Sequence, residues 1–173
     1  MVLHAYPSKL EGKLLLRDGS TVPVRPIKPE DEPLAKRFVS GLSQNSRYQR
    51  FLNQMKELPP PLLARFTHID YDREMALVAL APEGGEFIGV ARYAPNAGGS
   101  SAEFALTVTD AWQGRGLGHA LLEKLLACAR AAGYQVLDGT ILADNSDMLE
   151  LVTQFGFART GHDGDTVSVA LKL

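Results

Sequence analysis

Cysteine is nearly absent: Cys128 stands alone among 173 residues, so no internal disulfide can form and burial must hold the fold together. Long apolar runs are missing too. The longest, 75–81, stops at Pro82, far short of the ~20 residues a membrane-spanning helix needs, and no membrane partner is expected. The opening MVLHAYPSKLEG lacks the basic-then-apolar layout of a secretory leader, so the expected location is cytoplasmic. No charge of one sign dominates. Eighteen Lys+Arg face twenty Asp+Glu, a net charge of -2 without a basic block, which excludes the electrostatic footprint of a dedicated nucleic-acid binder. His4, His68, His119 and His162 form no metal-ligand spacing, so no metal is expected. There is no Gly-x-Ser-x-Gly elbow either. What remains is a composition ordinary for a compact protein, long enough to bury roughly 70% of its unfolded surface. One domain over 1–173 is expected, with 1–10 as an extended N-terminal segment.

Asp18-Gly19-Ser20 sits between short apolar runs at 14–17 and 21–25, and Asp-Gly in that setting predicts a hairpin. The stretch 29–42 opens on Pro29, gathers Glu30, Asp31 and Glu32 in its first turn, and spaces Leu34, Phe38 and Leu42 at helical intervals. It predicts an amphipathic helix whose start suits the dipole and whose end falls at Gly41. A second helical stretch is expected at 46–56, broken by Pro59-Pro60-Pro61, with Pro61 placed to open another short helix.

Runs at 75–81 and 86–93 joined by Pro82-Glu83-Gly84-Gly85 predict a second hairpin. Residues 102–108 then alternate, with Ala102, Phe104, Leu106 and Val108 on one face and Glu103, Ala105 and Thr107 on the other. A helix over 116–133 carries Leu117, Leu121, Leu125 and Cys128 on one stripe, where a cysteine is a small hydrophobe rather than a nucleophile. A strand at 134–142, a helix at 145–155 and a strand at 166–173 complete the order. The class is α+β, built on one mostly antiparallel sheet, not a repeating βαβ array.

The most informative segment is Gln113-Gly114-Arg115-Gly116-Leu117-Gly118, which leaves a strand and opens a helix. Three glycines in five residues let the backbone approach a bulky ligand, and unpaired amides converge at a helix N-terminus that favours an anion. Arg115 adds a charge-assisted contact. The pattern points to a phosphate or pyrophosphate; a plain strand-to-helix turn is the other reading. A dinucleotide fingerprint counted from Gly114 would need glycine where His119 stands, and no Gly-Lys-Ser/Thr triplet occurs.

The run from Val108 to Gly118 resembles the acetyl-CoA pyrophosphate loop of the GNAT acyltransferase superfamily, with Gln113, Gly116 and Gly118 at the positions of its Q/R-x-x-G-x-G/A pattern. The element order fits that superfamily along most of the chain. LRDGSTVPVRPIKPEDEP, LSQNSRYQRF, GVARY and AEFALTVTDAWQGRGLG, in that order, are similar to the acetyltransferase domain of bacterial Pat-type protein lysine acetyltransferases. The resemblance implies a GNAT-like three-layer fold, a mixed, mostly antiparallel twisted sheet flanked by helices. It implies an enzyme that takes acetyl-CoA as acyl donor and acetylates a primary amine. A protein lysine comes first, an acyl-CoA synthetase being one such acceptor; a polyamine, amino acid or aminoglycoside is the alternative. The synthetase-like or nucleotide-sensing regions that often accompany such domains are not found in these residues. A homodimer is compatible with the superfamily, and a non-catalytic acyl-CoA sensor is the rival from another class.

Residue by residue, the resemblance makes Glu103 the general base, the alternatives being an exposed strand glutamate or one salt-bridged to Arg92. Leu106 and Val108 would bind the pantetheine and polarise the thioester through their main chain, while Gln113, Gly114, Arg115, Gly116, Leu117 and Gly118 hold the pyrophosphate. Asn145 is expected to touch the cofactor, to cap the following helix, or both. Ser46, Tyr48 and Arg50 repeat an S-x-Y-x-R that would border the acceptor groove; a structural cap over the core is the other reading of Tyr48 and Arg50. The tyrosine acid common in the superfamily would fall at Val152 and is missing. A thiol pKa of about 8.5 makes CoA thiolate a tolerable leaving group without it.

Overall fold

The computed structural model describes residues 5–43 and 59–173. The helix expected at 46–56, with Ser46, Tyr48 and Arg50, lies outside them. A 3-10 turn at Ser8–Leu10 interrupts the segment expected to be extended.

Strand β1 (Gly12–Leu15) pairs antiparallel with β2 (Thr21–Pro26). The turn between them has Gly19 at φ +86, and Asp18 Oδ1 accepts the Ser20 amide at 2.9 Å, a side-chain turn of the kind aspartate favours. Helix α1 (Glu32–Ser40) follows a 3-10 turn at Pro29–Asp31 and ends at Gly41. Asp31 does not serve the helix dipole as a solvated carboxylate. It is 3% exposed, accepts Arg25 Nη1 and Nη2 at 2.7 and 2.8 Å, and takes the Lys28 amide at 2.8 Å. Hydrogen bonding to Asp31 is also what raises the Arg25 guanidinium pKa. Helix α2 (Pro60–Thr67) begins within the proline run.

Strands β3 (Met75–Leu80), β4 (Phe87–Pro95) and β5 (Ser101–Val108) form an antiparallel meander. Helix α3 (Leu117–Ala131) then crosses over to β6 (Val136–Leu142), and α4 (Ser146–Gln154) leads to β7 (Ala158–Asp163) and β8 (Thr166–Lys172). The sheet order is β1-β2-β3-β4-β5-β6-β8-β7, mixed because β5 and β6 run parallel. Leu117, Leu121, Leu125 and Cys128 are buried as one stripe of α3. They share an apolar cluster with Leu77, Phe104, Leu137 and the α4 residues Leu149 and Val152. Phe38 and Val39 of α1 and Leu63 of α2 pack with Ala76, Val78 and Phe87 in a second cluster. Alternate β3 residues enter the two clusters, so the helices cover opposite faces in three layers. Burial pushes the Cys128 thiol up, as expected of a packed cysteine rather than a nucleophile.

Strand β7 was not visible in the sequence. All six of its residues are exposed, its register shifts between Arg159 and Gly161, and it ends the sheet. Without a buried face no alternation is written into it. Among the described residues, no helix is long and apolar enough to cross a membrane.

Candidate functional site

The pairing of β5 with β6 is short. It joins Ser101, Ala102 and Glu103 to Val136, Leu137 and Asp138 and goes no further. Beyond it the strands part, and a groove of about 450 Å³ opens between them, lined by Leu106, Val108, Thr140, Ile141, Asn145 and the glycine loop. Phe104 fills the apex. A Cβ at Gly139 would lie 2.5 Å from Phe104 Cε1, so the absence of a side chain on β6 is what lets this ring, packed on Phe157 at 5.3 Å, sit where the strands divide. Gly139→Ala is expected to cost about 1–3 kcal/mol through overpacking, read by urea unfolding, and Phe104→Leu in the same chain should recover part of it.

The parting leaves main-chain groups turned into the groove. Thr109 N–H donates to Ile88 O at 2.9 Å, and the β4/β5 register continues from there without interruption. Antiparallel pairs alternate between hydrogen-bonded and non-hydrogen-bonded, so Thr107 faces β4 with its peptide groups while Leu106 and Val108 direct theirs away from β4, towards the gap. Gln113 Nε2 donates to Val108 O at 3.0 Å and so ties the loop to the strand end. Their side chains do other work: Leu106 is buried in the core, and Gly118 lies against Leu106, Val108 and Leu151.

Gly114 and Gly116 adopt φ +76 and +89, and Gly116 is the N-cap of α3. These left-handed positions turn successive amides towards the helix start, a geometry suited to an anion. Arg115 has its guanidinium 4.1 Å from the Trp112 ring centroid and 3.6 Å from Asp18. Hydrogen bonds from Ser20, with Arg115 adding to them, hold the Asp18 carboxyl below its usual range. Asn145 lines the groove, and its side chain accepts the Met148 amide at 3.3 Å as the α4 cap. Val152 is 1% exposed and belongs to the core.

Glu103 projects from the opposite face of β5, with Ala105 and Thr107, towards the α1 and α2 side. It is exposed and makes no ion pair or hydrogen bond with a described residue. The alternative pairing with Arg92 is not formed: Arg92 donates to Phe66 O at 3.2 Å and stands over the Phe66 ring. Asp138, beside Glu103 in the register, accepts Asn96 Nδ2 at 2.9 Å. Thr107 Oγ1, on the same face, is buried without a hydrogen-bond partner among the described residues.

Sequence reasoning passed over Arg17, Trp112, Thr140 and Ile141, all of which line the groove. His119 is exposed, yet it also lines the groove and packs on Phe155 at 4.6 Å. Only Trp112 had a signal, its place inside the loop motif. Among the described residues there is no cluster of His, Cys, Asp or Glu suited to a metal.

A mixed sheet pried open at its parallel pair, with a glycine loop and helix start at the mouth, defines the GNAT fold. The model of the acetyltransferase (GNAT) family matches residues 44–157, and the chain belongs to that family. It is 36% identical over 160 residues to the acetyltransferase PA5475 of Pseudomonas aeruginosa, covering 91% of this chain and 86% of that one. It is similar to the acetyltransferase Pat of Mycolicibacterium smegmatis, 29% identical over 145 residues, 82% of this chain and 42% of that protein. The crystal structure of the GNAT domain of S. lividans PAT superposes with a TM-score of 0.91 at 34% identity, covering 98% of this chain and all of that domain. The chain is an N-acetyltransferase.

Proposed function

We propose that this enzyme transfers the acetyl group of acetyl-CoA to a lysine side chain of a protein, by direct attack within a ternary complex. The observation that carries the reading is the division of β5: main-chain groups of Leu106 and Val108 face the groove, while the carboxylate of Glu103 stands without a described partner on the other side of the strand. The family and the likeness to the two Pat proteins support the donor and the acceptor respectively. The groove fits the donor in kind, with a glycine loop for phosphates at one end and strand peptides turned away from β4 beyond it.

Acetyl-CoA supplies the activated acyl group. The amides at Gly114 to Gly118 hold its pyrophosphate, with Gln113 bracing the loop and Asn145 bordering the groove. Leu106 and Val108 orient the pantetheine and donate to the thioester carbonyl, a role worth about 3–4 kcal/mol in comparable sites. Glu103 takes the proton from the incoming ammonium, directly or through water. At pH 7 a free lysine is neutral only about once in two thousand molecules, so a positioned base has a large gap to close. In this reading the 173 residues act as one cytoplasmic domain.

The test is CoA thiol release from acetyl-CoA with two fractions of a host extract, dialysed macromolecules and small metabolites. Release with the macromolecules, followed by acetyl-lysine in one of them by mass spectrometry, is the expected result. Release with the metabolites alone would reassign the acceptor to a small amine. Silence with both, while acetyl-CoA still binds, would favour a sensor.

A further inference from the structure

A pyrophosphate ligand asks for a cation, and the loop's own arginine is turned elsewhere. Arg115 does not line the groove; its guanidinium is spread over Trp112 and faces Asp18. Arg17 does line it. A Cβ at Gly116 would lie 2.8 Å from Arg17 Cγ and 3.4 Å from Arg17 Nε, so the Arg17 side chain lies across the glycine loop at the point where α3 begins. The Arg17 amide donates to Arg115 O at 3.2 Å, which fastens the β1–β2 turn to the loop. Among the described residues lining the groove, Arg17 is the sole lysine or arginine, and Asp147 and Glu150 bring the opposite charge. No ion pair of Arg17 with a described residue competes for its guanidinium.

We propose that Arg17, delivered from the β1–β2 turn, is the cation that binds the donor's pyrophosphate, and that Arg115 is a positioning residue holding the turn against the loop through Asp18. This rests on the acetyl-CoA reading of the groove. It assigns a phosphate contact to a hairpin remote in sequence from the loop motif, and it gives Gly116 a second reason to be glycine. Any side chain there would displace Arg17 as well as strain the backbone.

Calorimetric titration of CoA, and of CoA lacking its 3′-phosphate, into the wild type, Arg17→Gln, Arg115→Gln, Asp18→Asn and the Asp18→Asn/Arg115→Gln double variant tests this. Arg17→Gln should raise Kd for both ligands by about tenfold or more, the effect of losing a charged hydrogen-bond donor. It should also flatten the salt dependence of binding. Because Arg17 sits on an exposed turn, melting without ligand should be unchanged. Arg115→Gln and Asp18→Asn should each weaken binding by about threefold or less, and the double variant should add nothing, since both break one contact. An unchanged Kd in Arg17→Gln overturns the proposal. So does a penalty larger in Arg115→Gln than in Arg17→Gln. A penalty that vanishes with the ligand lacking the 3′-phosphate overturns the assignment to the pyrophosphate. Failure of the wild type to bind either ligand would instead overturn the donor reading itself.

Discussion

Replacing Glu103 with glutamine should lower kcat by about 10²–10⁴-fold while Kd for acetyl-CoA stays within about twofold. The two effects separate because of where the side chain points. Leu106 and Val108 meet the groove through peptide groups on one side of β5, whereas the Glu103 carboxylate leaves the strand towards the α1 and α2 side. Glutamine keeps the size and the strand propensity and loses only the capacity to accept a proton. Structure should be untouched, because no described residue depends on the carboxylate. The check is steady-state kinetics at saturating acetyl-CoA, paired with calorimetry. Because the loss concerns proton removal, activity of the variant should recover as pH rises towards the lysine pKa. Unchanged turnover at neutral pH would remove Glu103 from the mechanism, and a large loss of affinity would make it part of the donor site.

Asp31→Ala should cost about 3 kcal/mol of stability and lower Tm by roughly 6–12 °C. The carboxylate is almost fully enclosed and accepts two guanidinium bonds and one amide. Removing it leaves Arg25, itself 17% exposed at the side chain, charged and without its partner. The expense is that of the stranded cation rather than of the pair. Replacing Arg25 with methionine in the same chain should therefore recover most of the loss. Urea unfolding of the single and double variants decides it; a loss under about 1 kcal/mol would show that water reaches Arg25 and that the pair is not a lock. Asp31 ends the turn that launches α1, so the same variant should loosen the layer over the Glu103 face.

The elements that sequence reasoning found are those with a periodic buried face. Helix α3 announced itself because every residue of its apolar stripe goes to one cluster, and β5 because its alternation matches the two faces it presents. The β1–β2 turn was legible for a conformational reason, Gly19 taking the positive φ that Asp-Gly foretells. Strand β7 was silent because it contributes peptide groups to β8 and no side chain to the core. At the site, the loop motif and the strand that leads into it could be read because they lie in one continuous segment. Arg17 could not, since its place over Gly116 exists only once the sheet has brought the first hairpin beside the helix start. Asp31 misled for the same reason: three carboxylates before a helix look like dipole partners until β2 returns Arg25 to meet one of them.

The structure of the enzyme with CoA bound tests the account most directly. The pyrophosphate should lie at the amides of Gly114 to Gly118, the pantetheine along Leu106 and Val108, and the thiol should end where β5 and β6 part, on the strand that carries Glu103. CoA seated anywhere outside that groove, or a thiol directed away from the Glu103 end of β5, would contradict it.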